Sequence, residues 1–176
     1  MARNDFSLIT PTMQCLSQKW LIAAGAMGTT GGYRGEPFIS ALATAAQTGI
    51  AIMAADADGT IGTGTGDGRF AGVAKSDSTQ TASVAGVVYT WMPLPGIIYA
   101  GSAKSSTAAN TAAKIDALRG AAVIFDLTSS KYTIDTAATD AAANAIVITD
   151  GNYIANTVYW YVKPTWSVVG NISTIS

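Results

Sequence analysis

The sequence predicts a mainly β protein, with a single β-barrel or β-sandwich domain (β-tulip or jelly-roll-like), one short helix and an extended N-terminal arm. From Gly35 onward, short runs of β-branched and aromatic residues follow one another, each bounded by Gly, Pro, Ser or Asp. Runs of this kind and spacing are typical of all-β domains. In the run TVYWYVK (157–163), strand alternation places Trp160 on one face and Tyr159 and Tyr161 on the other.

Residues 1–34 form the predicted arm, and residues 35–176 form the predicted domain. The arm has scattered apolar residues without a sustained period of 2 or 3.6. Fully extended it would reach about 110 Å, far enough to cross to a neighbouring subunit. We therefore expect the domain to stay folded when residues 1–30 are deleted; the alternative is an ordinary N-terminal strand packed on its own domain. The arm residues predicted to contact a partner are Phe6, Leu8, Ile9, Trp20, Leu21, Ile22 and Tyr33.

The sequence predicts eight strands and one helix in the domain. The helix covers about residues 107–119, with Ser106 or Thr107 as its N-cap and Gly120 at its end. Residues 40–49 are consistent with either a second short helix or a strand, and the glycine-rich residues 56–70 indicate a hairpin loop. The predicted strands cover residues 49–55, 69–74, 86–92, 96–101, 121–127, 131–135, 145–150 and 157–163.

The residue types argue against most catalytic and metal chemistry. The chain has no histidine, and Cys15 is its single cysteine, so it lacks the commonest general base, the commonest metal ligand and any CxxC spacing. The glycine-rich loop fails the spacing of a calcium loop and of a phosphate loop. We therefore predict no catalytic residue, no metal site and no cofactor. The aspartates weighed for such roles lie in that loop or at strand ends, where Asp is ordinary in turns; they are Asp56, Asp58, Asp67, Asp126, Asp135, Asp140 and Asp150.

The composition favours assembly with other protein surfaces. Charged residues make up only 12% of the chain, about half the usual quarter, while 49% is apolar. No apolar run approaches the about 20 residues of a membrane-spanning helix. The net charge of −1 provides no attraction to nucleic acid or to an acidic membrane. We therefore expect protein partners, including copies of this chain. The domain residues predicted at such an interface are Tyr89, Trp91, Met92, Tyr99, Tyr159 and Tyr161.

Several short motifs resemble those of a known family. They are GEPF at residues 35–38, the ADG turn at 57–59 and RFAGVAKSDSTQTASVAGVVYTWMPLPGIIYAG at 69–101. A further set of strand motifs, from GAAVIFDL to TVYWYV, covers residues 120–162. Over about residues 35–170 the chain resembles the decoration (cement) proteins of tailed-bacteriophage capsids, whereas the arm lies outside the resemblance.

The resemblance implies a structural virion protein without a cofactor, assembled in the cytoplasm of the bacterial host. Such a protein binds the outer surface of the icosahedral head and clamps neighbouring subunits of the major capsid protein against the pressure of the packaged DNA. It also implies a homo-dimer or a homo-trimer.

Three other functions are compatible with parts of the sequence. A tail-fibre tip or another receptor- or carbohydrate-binding β module would use tryptophans as a sugar platform. A carboxylate-based hydrolase would bring two aspartates together in a cleft. A minor pilin or surface-layer subunit is disfavoured because the sequence has no recognisable signal peptide. The tryptophans considered for a platform are Trp20, Trp91, Trp160 and Trp166.

Overall fold

Strands dominate the computed structural model, which describes residues 6–11, 15–24, 32–40, 51–53, 69–128, 131–137, 145–164 and 167. The predicted mainly β class with one short helix is confirmed for these residues. The strands are β1 (Phe6–Leu8), β2 (Ser17–Ile22), β3 (Pro37–Ser40), β4 (Ala51–Met53), β5 (Phe70–Ala74), β6 (Gly86–Trp91), β7 (Tyr99–Ser102), β8 (Ala122–Thr128), β9 (Lys131–Asp135), β10 (Ile146–Asn152) and β11 (Thr157–Val162), and the helix is α1 (Ala112–Leu118).

The strands form two antiparallel sheets, and both sheets curl. One sheet has the order β1-β7-β11-β10-β8-β9, and the other has the order β2-β6-β5-β3-β4. In the five-stranded sheet the two edge strands, β2 and β4, approach each other. In the six-stranded sheet Ala103, directly after β7, bridges to Ile134 of β9, and the N–H of Lys104 donates to the Ile134 carbonyl at 2.8 Å. Each sheet is therefore a half-barrel.

The larger hydrophobic core packs on the inner face of the six-stranded sheet and is rich in aromatic rings. The Trp160 ring lies 4.8 Å from Tyr99, 5.2 Å from Phe6 and 5.3 Å from Phe125, measured between ring centres. Ring pairs at such distances add to the energy of burial. A second, smaller core lies on the five-stranded sheet and consists of Trp20, Ile22, Phe38, Ala71, Ala74 and Val88.

A bulge in β5 lets this strand serve both cores. The pairing register of β3 and β5 shifts there, opposite Phe38 and Ile39, and Gly72 has a φ of +123°. As a result Phe70 and Val73 face the larger core, while Ala71 and Ala74 face the smaller one. A Cβ atom on Gly72 would overlap the carbonyl oxygen of Trp91, so both the backbone angle and the space require glycine.

The described parts of the predicted arm belong to the domain. β1 pairs with β7, and β2 pairs with β6, so the segment adds one strand to each sheet. Phe6, Trp20 and Ile22 are buried, with exposed fractions of 3%, 8% and 1%. The prediction of a separate arm over residues 1–34 is corrected for these residues, because their apolar side chains fill the chain's own cores.

The helix is shorter than the sequence predicts. It begins at Ala112 with Thr111 as its N-cap, whose hydroxyl accepts from the Lys114 N–H, instead of starting at Ser106 or Thr107. The preceding residues form turns, and the N–H of buried Ala109 donates to Asn156 Oδ1 at 2.9 Å. The end is as predicted: Gly120 follows the helix with a φ of +81°.

Some sequence predictions lie outside the described residues. They concern most of the second helix or strand predicted at 40–49, most of the glycine-rich loop predicted at 56–70, the ends of the strand predicted at 49–55, Asp140 and Trp166. In the described part of the chain no helix has the length and apolarity that crossing a bilayer would require.

Candidate partner-binding surface

Strands β2 and β6 present apolar side chains on their outer surface. Lys19 lies opposite Tyr89 and Leu21 opposite Val87, so the four side chains share one face with Trp91, the next outward position of β6. Leu21 is 54% exposed and Tyr89 is 42% exposed. We call these five residues the β2–β6 face. Adjacent exposed apolar side chains, in contrast to scattered ones, are typical of interaction sites.

The other surface of the same two strands is buried and holds the β2–β6 face in its orientation. Trp20 Nε1 donates to Thr90 Oγ1 at 2.9 Å, and the Thr90 hydroxyl donates to the Ala71 carbonyl at 2.7 Å. A slip of one residue between the strands would bury Leu21 and expose Trp20, because strand side chains alternate. The buried hydrogen bonds therefore select the register that exposes Leu21 and Tyr89.

Lysine side chains flank the aromatic residues of the β2–β6 face. The N–H of Lys75 donates to the Tyr89 carbonyl at 2.8 Å, and Lys75 Nζ lies 4.6 Å from the centre of the Trp91 ring. This is the geometry of a cation–π contact. Between described residues, neither Lys19 nor Lys75 forms an ion pair. Both charges can therefore pair with acidic groups of a partner at the rim of a contact.

A groove of about 290 Å³ extends from Trp91 to β1. Three residues predicted to contact a partner line it, namely Phe6, Leu8 and Trp91, although Trp91 is far from the other two in the sequence. Arg34 adds an exposed cation, and its backbone N–H donates to Asp77 Oδ1 at 2.8 Å. The groove continues the β2–β6 face beyond Trp91. It is lined by Phe6, Ser7, Leu8, Arg34, Val73, Ala74 and Trp91.

Four residues predicted to contact a partner are core residues instead. Tyr99 is fully buried, its hydroxyl donates to the Trp91 carbonyl at 2.9 Å, and burial raises its pKa well above the usual value. This hydrogen bond fixes the backbone of Trp91, whose half-buried side chain packs against the larger core. The assignment as contact residues is thus corrected for Phe6, Trp20, Ile22 and Tyr99, whose side chains pack inside the chain.

The remaining predicted contact residues are exposed or half-buried and do not belong to the β2–β6 face. Ile9 is 45% exposed and follows β1. Tyr159 and Tyr161 project from β11 on the side opposite buried Trp160, as their alternation predicts. The half-buried members of this group are Tyr33, Met92, Tyr159 and Tyr161. Their contact with a partner stays a prediction.

A hydrolase would require two carboxylates in one cleft. Asp126 and Lys104 line a second groove, of about 430 Å³, whereas Asp135 lies outside its lining and pairs with the same lysine. Lys104 Nζ lies 2.7 Å from Asp126 Oδ1 and 2.9 Å from Asp135 Oδ2. Hydrogen bonds to both carboxylates raise the pKa of Lys104 well above its ordinary value. Acid–base catalysis needs a group that exchanges its proton near the working pH, whereas this lysine holds the carboxylates as ion pairs. The cluster is therefore an ion-pair network that links the residue after the end of β7 to strands β8 and β9.

No other group of carboxylates in the described ranges has an arrangement that indicates acid–base catalysis or metal binding. Among the described residues, no group of three or more His, Cys, Asp or Glu side chains has the arrangement of a metal site. Asp150 pairs with Arg119 at 2.9 Å, and the hydrogen bond from this guanidinium lowers the pKa of Asp150.

Sequence reasoning missed the cationic part of the surface and one exposed apolar residue. Alternation in β6 could have identified Val87, since it precedes Tyr89 and Trp91 by even steps. Lys19 and Lys75 join these residues only through strand pairing. Ile154 is 85% exposed in a turn, and its position between Asn152 and Asn156 was the available signal.

Comparison of the chain with protein-family models, curated proteins and solved structures gave no match.

Proposed function

We propose that the protein is a structural virion protein that decorates the head of a tailed bacteriophage and clamps neighbouring subunits of the major capsid protein. The observation that carries the proposal is the β2–β6 face, where exposed Leu21 and Tyr89 lie beside Trp91 and two lysines that form no ion pair with any described residue. The motif resemblance supplies the partner. The low charge of the chain and the absence of histidine agree with a protein that works by contact area.

Binding would come from burial of this face against the outer surface of the shell. Each Å² of apolar surface removed from water contributes about 25 cal/mol, and tyrosine and tryptophan often dominate such contacts. Lys19 and Lys75 would orient the protein on the shell by pairing with acidic groups at the rim of the contact. Because a shell offers many identical sites, an oligomer that holds one site binds the next at high effective concentration. Modest contacts can thus reinforce the joints between capsomers.

Cosedimentation with phage heads that lack the protein tests this proposal. We expect Leu21→Asp and Tyr89→Asp each to weaken binding by about tenfold or more, since either change places a charge in an apolar contact. Val84→Asp is the matched control, because Val84 is 59% exposed and lies outside the β2–β6 face. Circular dichroism checks that all three variants are folded.

Each outcome of the experiment has a separate meaning. Equal binding by the wild type and both face variants would remove the β2–β6 face from the proposal. A wild-type chain that does not bind phage heads but binds host cells or their glycans would contradict the proposed function and favour a receptor-binding module.

A further inference from the structure

The turn between β10 and β11 carries the most exposed large apolar side chain of the described residues. Ile154 is 85% exposed, and Tyr153 beside it is 48% exposed. The turn lies far from the β2–β6 face. Tyr99 of β7 contacts Trp91, whereas Ser102, at the other end of β7, pairs with Thr157 next to the turn.

Hydrogen bonds fix the shape of this turn. Asn152 Oδ1 accepts from the N–H groups of Ile154 at 3.1 Å and Ala155 at 3.2 Å. Asn156 has a φ of +48°, and its side chain joins the turn to the segment before α1: Oδ1 accepts from the Ala109 N–H, and Nδ2 donates to the Ser105 carbonyl at 2.8 Å. The backbone at Ile154 is therefore fixed with the side chain projecting into solvent. Burial of this side chain by a partner would cost little conformational entropy.

A hollow of about 180 Å³ opens beside Tyr153, the residue that precedes Ile154 in the turn. An apolar cavity of about 150 Å³ accommodates a benzene-sized molecule, so a hollow of this size can take the four-carbon side chain of isoleucine. Ile154 of the same chain is too exposed to fill it. The projecting side chain and the hollow thus lie next to each other on one surface. The hollow is lined by Ala112, Ile115, Asp116, Arg119, Asp150, Gly151 and Tyr153.

The rim of the hollow carries charges of both signs. Arg119 lies 2.6 Å from Asp116 Oδ1 and 2.9 Å from Asp150 Oδ1, and the three side chains are 51%, 62% and 52% exposed. A surface with both signs can face a copy of itself, with the arginine of one copy near the carboxylates of the other. A surface that holds both a projection and its recess has the self-complementarity of a two-fold interface.

We propose that this surface binds a second copy of the chain about a two-fold axis, with Ile154 of each copy inserted in the hollow beside α1 of the other. The β2–β6 face of each copy stays free in such a dimer, which would give a capsid clamp its two shell contacts. The proposal stands without capsid binding, because self-association is measured with the purified chain alone.

Sedimentation of the full chain over a range of concentrations tests the dimer. We expect the wild type to form dimers, and Ile154→Asp to weaken self-association by about tenfold or more, because it removes the apolar side chain that fills the hollow and adds a carboxylate beside Asp116 and Asp150 of the other copy. Ala112→Trp, which fills the hollow, should have the same effect, and Val84→Asp should have none. A wild type that stays monomeric, forms trimers, or associates as strongly after Ile154→Asp would overturn the proposal.

Disulfide trapping tests the contact itself. Cys15 is the only cysteine, so Cys15→Ser supplies a background without thiols. In this background a chain with Ile154→Cys is mixed with a chain with Ala112→Cys and mildly oxidised. We expect a disulfide between the two different chains. Cross-links that form only between identical chains would contradict the insertion of Ile154 beside Ala112.

Discussion

At the scale of single residues, Thr90 connects three strands through one hydroxyl group. It lies in β6, accepts a hydrogen bond from Trp20 of β2 and donates one to the carbonyl of Ala71 in β5. The side chain is fully buried. A buried polar group that loses its partner costs about 1–3 kcal/mol, so this hydroxyl matters more than its size suggests.

We therefore expect Thr90→Val, which keeps the shape and removes the hydroxyl, to lower the free energy of unfolding by about 1–3 kcal/mol or more. Urea unfolding followed by Trp fluorescence measures the change. Thr136→Val is the control, because Thr136 is half-buried and its hydroxyl makes no hydrogen bond within the described part of the chain; a change within about 0.5 kcal/mol is expected there. Equal stabilities of the two variants would contradict the role of Thr90.

At the scale of elements, the bulge in β5 decides which residues of the five-stranded sheet enter which core. We expect Gly72→Ala to cost about 3 kcal/mol or more, because it adds backbone strain to an overlap with the Trp91 carbonyl. Gly96→Ala is the matched control. Gly96 also has a positive φ, of +87°, but its added Cβ would meet no atom within 4 Å. We therefore expect Gly96→Ala to lower the free energy of unfolding only by the backbone strain, about 1–2 kcal/mol. Thermal and urea unfolding compare the two, and similar losses would argue against the overlap.

The elements that the sequence predicts well are those whose own residues carry the pattern. β6, β9 and β11 alternate clearly and were placed within about a residue at each end. β2 was missed because its first three residues are polar and exposed, which leaves only Trp20 and Ile22 to mark the buried face. The start of α1 depends on the contact between Ala109 and Asn156, which are distant in the chain, so no local signal separates Thr107 from Thr111 as the cap.

The candidate surface was predictable in the same partial way. Tyr89 and Trp91 lie on one strand, and alternation alone puts them on one side. Leu21 and Lys19 join them through pairing between β2 and β6, a register set by the buried contact of Trp20 with Thr90. The sequence indicates that these residues are apolar or charged, but strand pairing decides that they are neighbours.

At the scale of the whole molecule, the first two strands contribute to both half-barrels, because β1 is an edge strand of the six-stranded sheet and β2 is an edge strand of the five-stranded sheet. Truncating a buried Phe or Trp to Ala costs about 3–5 kcal/mol, and whole domains are stable by only about 5–15 kcal/mol. Deleting residues 1–30 removes Phe6, Trp20 and Ile22 together. We therefore expect this deletion to abolish folding, which reverses the expectation from the sequence alone.

Circular dichroism and urea unfolding of the truncated chain measure this effect. A shorter deletion of residues 1–5 is the control, since it keeps β1 and β2 and should retain cooperative unfolding. A deletion of residues 1–30 that still unfolds cooperatively would show that the remaining strands form a stable domain by themselves.

The long-range pairing of β1 and β2 also affects how the chain is made. Phe6 pairs with Gly101 and Trp20 with Val88, so neither strand has its partner until about 90–100 residues have left the ribosome. At about 5–20 residues per second this delay lasts several seconds or more. The β10–β11 hairpin, whose strands are close in sequence, can form as soon as it emerges. The strands translated first thus wait longest between their synthesis and the pairing that completes them.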